Sequence, residues 1–124
     1  MKHLRILIFT FFLLIPAFQA QAQTPAADKS WNSFWTKFSS AVKQKNRAAL
    51  KSLMASEKEF YPGGGGGTRD EYLDLVSWRE LQQSVRTGIK ADRTYGKPGR
   101  TTRDNYLIFA FTGGRWRFMG PRGD

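Results

Sequence analysis

The sequence predicts an α+β protein in which N-terminal helices pack on a C-terminal antiparallel β-meander. Apolar residues recur at spacings of three and four over residues 31–85, whereas from Ile89 onward the period changes to two. A Gly113-Gly114 pair also separates two apolar runs, which is typical of a tight β-hairpin. The chain has 124 residues, the usual size of one domain. We therefore expect a single folded domain.

The N-terminus has the layout of a secretory signal peptide. Two basic residues precede an apolar run at residues 6–18, and the small residues Ala20 and Ala22 follow it. The run is too short for a transmembrane helix, which needs about 20 apolar residues, and Pro16 would interrupt it. We expect cleavage after Ala22, which removes residues 1–22, with cleavage after Ala20 as the alternative. The mature protein would then be exported, to the periplasm or the medium of a bacterium, with no transmembrane anchor.

Residues 23–29 are interpreted as a linker and residues 30–124 as the folded domain. A first helix is predicted to begin at Asp28 or Ser30, because either side chain can cap it. Its buried face would comprise Trp31, Phe34, Trp35, Phe38, Ala41 and Val42. Asn46 can cap a second, shorter helix, which would form an antiparallel hairpin with the first. The buried face of this helix would comprise Ala49, Leu50, Leu53 and Met54.

A glycine-rich loop is predicted at residues 62–67, because its five consecutive glycines lose much backbone entropy on ordering. Thr68 and Glu71 then form the pattern of a capping box, which begins a third helix. One face of this helix would carry Tyr72, Leu75 and Val76. The helical spacing continues through Trp78, Leu81 and Val85, with a kink near Ser77. Gly88 would end the helix.

Three strands are predicted after the helices. The first covers Ile89–Tyr95 and leads into a turn at residues 96–99. The second is strongly apolar and covers Tyr106–Phe111, and the third covers Trp116–Met119. Residues 112–115 between them form a tight hairpin, since two glycines supply positive φ without strain.

The residue inventory excludes several catalytic classes for the mature protein. The chain has no cysteine and one histidine, His3, which lies in the predicted signal peptide. Without either residue, the mature protein cannot build a Ser-His-Asp or Cys-His arrangement, a His-ligated metal site or a cysteine redox centre. Carboxylate, tyrosine and lysine chemistry remain. We expect no catalytic residue set, no cofactor and no metal.

Acidic residues crowd the start of the third predicted helix. Asp70, Glu71 and Asp74 could perform general acid–base chemistry, but they also compensate the helix dipole, which is the interpretation we favour. The preceding glycine run could bind phosphate through its backbone N–H groups. It ends in Thr68-Arg69, however, and lacks the Lys-Ser/Thr of a phosphate loop.

The basic excess is concentrated in the C-terminal part of the chain. The chain has 20 basic and 10 acidic residues, and loss of Lys2 and Arg5 would lower its net charge from +10 to +8. Residues 86–124 hold nine basic and three acidic residues, so these strands could present an arginine–aromatic surface to an anionic ligand. The candidate binding residues are Arg93, Tyr95, Arg100, Arg103, Tyr106, Arg115, Trp116 and Arg117. The alternative is that these arginines are solvated charges on the open face of a half-buried sheet.

Two segments, Phe34–Leu53 and Tyr106–Phe118, resemble a known fold family. The aromatic first helix, the short second helix and the meander with its Gly-Gly hairpin together resemble the small exported cystatin-like or NTF2-like α+β proteins. This resemblance implies a curved sheet that wraps the long helix into a cone able to hold a small ligand. It implies no reaction, since the acid or His-Asp pair of the family's enzymes has no clear counterpart in this sequence.

We therefore expect an exported, non-enzymatic binding or accessory domain that holds a small or anionic ligand, in a helix–sheet pocket or on the basic sheet face. The acidic partners we expect are lipid head groups or cell-envelope polymers, and not nucleic acid. One alternative is a small NTF2-like enzyme that uses Asp70, Asp74, Tyr72 or Tyr95. Another is an interaction subunit, including a homodimer, in which Trp31, Trp35 or Trp78 contacts the partner.

Overall fold

A computed structural model describes residues 25–60, 67–92 and 98–122. In these residues four helices precede a four-stranded antiparallel sheet, which confirms the predicted α+β class. The predicted signal peptide, residues 61–66 with most of the predicted glycine-rich loop, and the candidate residues Arg93 and Tyr95 lie outside the described residues.

Helix α1 spans Pro25–Lys43 and starts earlier than the predicted Asp28 or Ser30. Residues 25–29, which the sequence analysis assigned to a linker, are therefore helical. Proline is favoured at the first helical position, where the N–H that it lacks has no intrahelical partner. Asp28 lies in the first turn, where a carboxylate compensates the helix dipole.

The turn between the first two helices is built around Asn46, as predicted. Lys45 has a φ of 53°, a left-handed conformation that ends α1. The Asn46 side chain accepts a hydrogen bond from the N–H of Ala49 at 3.0 Å and so caps helix α2, Arg47–Ser52. Leu50 of α2 is fully buried.

The chain just past α2 extends the sheet instead of the helix. Met54 forms a parallel bridge with Phe118 of the last strand. The N–H of Ala55 donates to the carbonyl of Phe118 at 2.9 Å, and the N–H of Phe118 donates to the carbonyl of Leu53 at 2.8 Å. Leu53 and Met54, predicted on the buried face of the second helix, thus lie beyond its end and contact a strand.

The predicted third helix is in fact two helices, α3 (Arg69–Leu75) and α4 (Trp78–Thr87). Thr68 caps α3, as its capping-box pattern predicts. Ser77, near which we expected only a kink, caps α4, because its Oγ accepts the N–H of Glu80 at 3.3 Å. Gly88 ends α4 with a φ of 91°, as predicted.

Leu75 does not lie on the buried face predicted for it. Its exposed fraction is 86%, whereas Leu73 is 4% exposed and belongs to the core. The helical spacing that linked Leu75 to Leu81 is interrupted at Val76, whose extended backbone has a ψ of 136°. Because the helix is interrupted here, the spacing of buried residues in α3 does not continue into α4.

The sheet has the order β1-β2-β3-β4, with every neighbouring pair antiparallel. The strands are β1 (Ile89–Asp92), β2 (Gly99–Thr102), β3 (Leu107–Thr112) and β4 (Arg115–Pro121). Three strands were predicted from the sequence, so β2 is additional. Its first residue, Gly99, lies in the predicted turn. Because the sequence of β2 is Gly-Arg-Thr-Thr, it offers no apolar alternation from which a strand could be predicted.

The hairpin between β3 and β4 has the predicted geometry. Gly113 and Gly114 have φ values of 61° and 79°, the pair of positive angles that a primed two-residue turn requires. Along the same strand pair the register shifts between Ile108 and Phe109, which is a β-bulge or similar irregularity. Phe109 consequently pairs with Phe118.

Aromatic rings of α1 build the core against β3 and β4. Phe38 and Phe109 are both fully buried, and their rings meet edge to face with centroids 4.9 Å apart. Phe118 lies 5.1 Å from Phe38, and the ring of Trp31 lies 4.8 Å from that of Trp116. Since each buried ring contributes about 2 kcal/mol or more, these contacts fix α1 on the sheet.

The substitution Phe109→Ala is expected to lower the free energy of unfolding by about 3–5 kcal/mol, because it leaves a cavity among the rings. The measurement is the midpoint of urea unfolding, with Phe109→Leu as the milder variant in case the alanine variant does not fold. Leu75→Ala is the matched control at an exposed apolar site, and we expect it to change the free energy by less than about 0.5 kcal/mol. Equal losses in Phe109→Leu and Leu75→Ala would contradict the assigned core.

Candidate functional site

One arginine of the predicted basic surface is engaged within the fold. The Arg100 guanidinium carbon lies 4.8 Å from the ring centroid of Trp31 and 5.7 Å from that of Trp116, and Arg100 pairs with Asp28 at 2.9 Å. Trp116 is 5% exposed, and its Nε1 donates to the carbonyl of Ala27 at 2.7 Å. These contacts fasten the first turns of α1 to the sheet.

The other predicted binding residues are spread over the sheet. Arg103 is exposed in the turn between β2 and β3, and Arg115 is exposed at the β3–β4 hairpin, so they lie at opposite ends of β3. Arg117 is half-buried on β4, and its Nε is buried with no hydrogen-bond partner among the described residues. The structure therefore brings Arg100 and Trp116 together and separates Arg103 from Arg115.

Tyr106, the remaining predicted residue, lines a cleft of ≈ 320 Å³ between the helices α3 and α4 and the sheet. The break between these helices forms one wall, with Val76 and Ser77, and the start of β3 and the end of β4 form the other. Its apolar lining includes Leu75, Val76, Leu81 and Pro121. We call this feature the cleft.

Two tyrosines and two glutamates supply the titratable groups of the cleft: Tyr72, Tyr106, Glu71 and Glu80. Burial raises the pKa of Tyr72 well above its ordinary value, and the neighbouring Tyr106 and Glu80 raise it further. Burial also raises the pKa of Tyr106, again with help from the charge of Glu80. Both hydroxyls therefore stay protonated at neutral pH and can donate or accept a hydrogen bond.

A hydrogen-bonded turn centred on Asp104 holds Tyr106 at the edge of the cleft. The Asp104 carboxylate accepts hydrogen bonds from the Ser84 hydroxyl at 2.7 Å, the Thr102 hydroxyl at 2.6 Å and the N–H of Tyr106 at 3.2 Å. Partial burial opposes the charge, but hydrogen bonds from Thr102 and Ser84 outweigh it, and the pKa of Asp104 lies below its ordinary value. The turn thus ties α4 to Tyr106, the residue just before β3.

The two cleft glutamates differ from the other acidic residues in having no partner. Seven of the nine acidic side chains in the described ranges form an ion pair or accept a hydrogen bond: Asp28, Glu57, Glu59, Asp70, Asp74, Asp92 and Asp104. Glu71 and Glu80 have no such side-chain partner among residues 25–60, 67–92 and 98–122. From the sequence, Glu71 was interpreted as helix-dipole compensation, with general acid–base chemistry as the alternative, and Glu80 was not singled out.

Ion pairs with α2 hold α3 beside the cleft. Asp70 pairs with Lys51 at 2.8 Å, and Asp74 pairs with Arg47. The hydrogen bond from Lys51 lowers the pKa of Asp70 below its ordinary value. Both carboxylates are exposed and do not line the cleft, so the acidic residues proposed for an enzyme face α2 instead.

A second groove, of ≈ 370 Å³, lies between α1 and α2. It is lined by small and hydroxyl side chains together with Lys37, Gln44 and Leu53. The Thr36 hydroxyl donates to the carbonyl of Asn32 at 2.9 Å, and the Ser52 hydroxyl donates to that of Ala49 at 2.7 Å. Since these polar groups are satisfied within their own helices, the groove offers a ligand less than the cleft does.

Comparison with known proteins assigns the chain to no family. No family model, curated protein or solved structure matches the chain. The cystatin-like or NTF2-like resemblance therefore stays a prediction. In the part of the chain that the structure describes, no helix is both long and apolar enough to span a membrane. The same residues contain no group of three or more metal-ligating side chains.

Removal of the Ser84 hydroxyl should raise the pKa of Asp104. In Ser84→Ala the carboxylate loses a hydrogen bond to its charged form, so its pKa rises toward the ordinary value, as measured by NMR titration of the carboxyl carbon. Ser52→Ala, whose hydroxyl does not contact Asp104, should leave the titration unchanged.

The lowered pKa of Asp104 also makes the free energy of unfolding depend on pH. Because folding lowers the pKa of Asp104, its contribution is complete above the ordinary aspartate pKa and is lost as the pH falls through the lowered value. Ser84→Ala should therefore lose this contribution at a higher pH than the parent protein. An identical Asp104 titration midpoint in the two proteins would rule out the assigned cause.

Proposed function

We propose that the protein is an exported, non-enzymatic binding domain whose small ligand occupies the cleft. The observation that carries this proposal is a cleft of ≈ 320 Å³ whose lining combines apolar side chains with four titratable ones, a combination found in small-molecule sites. The N-terminal signal-peptide pattern supports export.

The positions of the acidic residues support binding over the enzyme alternative. Asp70 and Asp74 are exposed and paired with α2. Tyr72 does line the cleft, but its raised pKa keeps the hydroxyl protonated at neutral pH, so it acts as a hydrogen-bonding group there and not as a base. Tyr95 lies outside the described residues.

The contacts of the tryptophans and arginines also support the cleft over the other two sites that we considered. On the basic sheet face, Arg100 and Trp116 already contact α1. Of the tryptophans suggested for a protein partner, Trp31 is 5% exposed, while Trp35 and Trp78 are half-buried and pack against the core. Arg100, Trp116 and the three tryptophans suggested for a partner are thus engaged within the domain.

Ligand mapping by NMR tests the site. When a charge-balanced panel of small fragments is titrated into the exported protein, we expect the shifted amides to cluster around the cleft, at Thr68, Glu71, Val76, Glu80 and Tyr106. Val76→Trp should fill the cleft and abolish these shifts, with circular dichroism used to confirm folding. Ser40→Trp in the α1–α2 groove is the matched control and should leave them intact. Shifts confined to the groove or to the arginines of the sheet would refute the cleft.

Processing tests the export part of the proposal. Expression in a bacterial host should yield an exported protein whose intact mass corresponds to an N-terminus at Gln23, or at Gln21 for the alternative cleavage site. Ala22→Arg should block cleavage after residue 22, because that position requires a small side chain. Ala26→Arg, beyond the site, should still be processed. A protein that stays in the cytoplasm at full length would contradict the signal-peptide assignment.

A further inference from the structure

We infer that the ligand of the cleft is a small organic cation, an amine with an apolar chain. This inference rests on the proposed function, because it names the chemical class of the ligand in the same site. It is based on two observations about the lining of the cleft. Two of its carboxylates, Glu71 and Glu80, have no partner, and they lie beside an apolar wall that ends at the exposed Leu75.

The partnerless carboxylates are the first step. The chain carries 20 basic and 10 acidic residues, so cationic partners are in excess. Arginine and lysine side chains nevertheless pair with acidic residues elsewhere on the surface and not with these two. Within the described residues the lining of the cleft contains two carboxylates and no basic side chain. A bound cation would supply the missing partner.

The tyrosines are the second step. Glu80, Tyr72 and Tyr106 all line the cleft, so the carboxylate and the two tyrosines border the same cavity. An ammonium group has three donors and no acceptor. The lining offers carboxylate and hydroxyl oxygens that can accept these hydrogen bonds, whereas a carboxylate ligand would meet charges of its own sign.

The apolar wall is the third step, because it favours an organic cation over a metal ion. Leu75 is the one large hydrophobic side chain that is strongly exposed in the described residues, at 86%, and it lines the cleft beside Val76. A divalent metal ion would prefer a shell of oxygen ligands and would leave this surface in water. An alkyl chain would cover it and remove its apolar surface from water.

The test compares ligands that share one chain length and differ in charge. Hexylamine, 1-hexanol, hexanoate and calcium chloride are each titrated into the exported protein and followed by NMR at the cleft amides. We expect hexylamine to bind with a Kd on the order of 1 mM and the other three to bind at least about five-fold more weakly. Glu71→Gln and Glu80→Gln should each weaken hexylamine binding about five-fold. Asp28→Asn, which removes a carboxylate outside the cleft, should not change it.

The outcomes separate this inference from the proposed function. If 1-hexanol or hexanoate binds the cleft as tightly as hexylamine, the cleft remains the ligand site and the cation assignment is overturned. Preferential binding of calcium ions overturns the organic amine in the same way. If the fragment panel finds cleft ligands but hexylamine does not bind, only the cation assignment fails. If neither the panel nor the four probes shift the cleft amides, both proposals fail together.

Discussion

The packing of Phe38 against Phe109 is the contact on which the rest of the structure depends. The chain has no cysteine, so burial of apolar rings must offset the conformational entropy of folding without disulfides. Phe109 also pairs with Phe118, and Met54 joins the sheet at that residue. Because Tyr106 lies just before β3, the strand that carries Phe109, the contact that anchors α1 also positions one wall of the cleft.

The opposite wall of the cleft, formed by α3 and α4, contributes few fully buried apolar side chains to the core. The segment buries Leu73 and Leu81 and leaves Leu75 at the surface, since Val76 interrupts the helical period. Ion pairs with α2 hold α3 from outside, and exposed pairs of this kind contribute about 0–1 kcal/mol each. Leu73 and the ring of Tyr72, which lies 5.2 Å from the ring of Phe60, thus anchor α3 on the core.

The sequence predicted the fold where a local signal was strong and failed where two signals conflicted. Asn46 and the Gly113-Gly114 turn were predicted correctly, because caps and primed turns need particular side chains or φ angles. Strand β2 was missed, since its residues carry no apolar alternation. The break at Ser77 did have a signal in the sequence. Ser77 precedes Glu80 as Thr68 precedes Glu71, which repeats the Ser/Thr-x-x-Glu pattern of a helix start, but the continuous apolar spacing favoured a single helix.

The candidate site was harder to predict than the fold, because a charge count does not show which charges pair. The basic excess directed attention to Arg100, which the structure pairs with Asp28. Of the two carboxylates without partners, Glu71 was interpreted as helix-dipole compensation and Glu80 was not singled out. Net charge governs the field at long range, whereas a site is selected by groups left unpaired at contact distance. A cation approaching this basic protein is repelled at a distance and attracted only inside the cleft. Its recognition must therefore depend on contact with Glu71 and Glu80 and not on electrostatic steering.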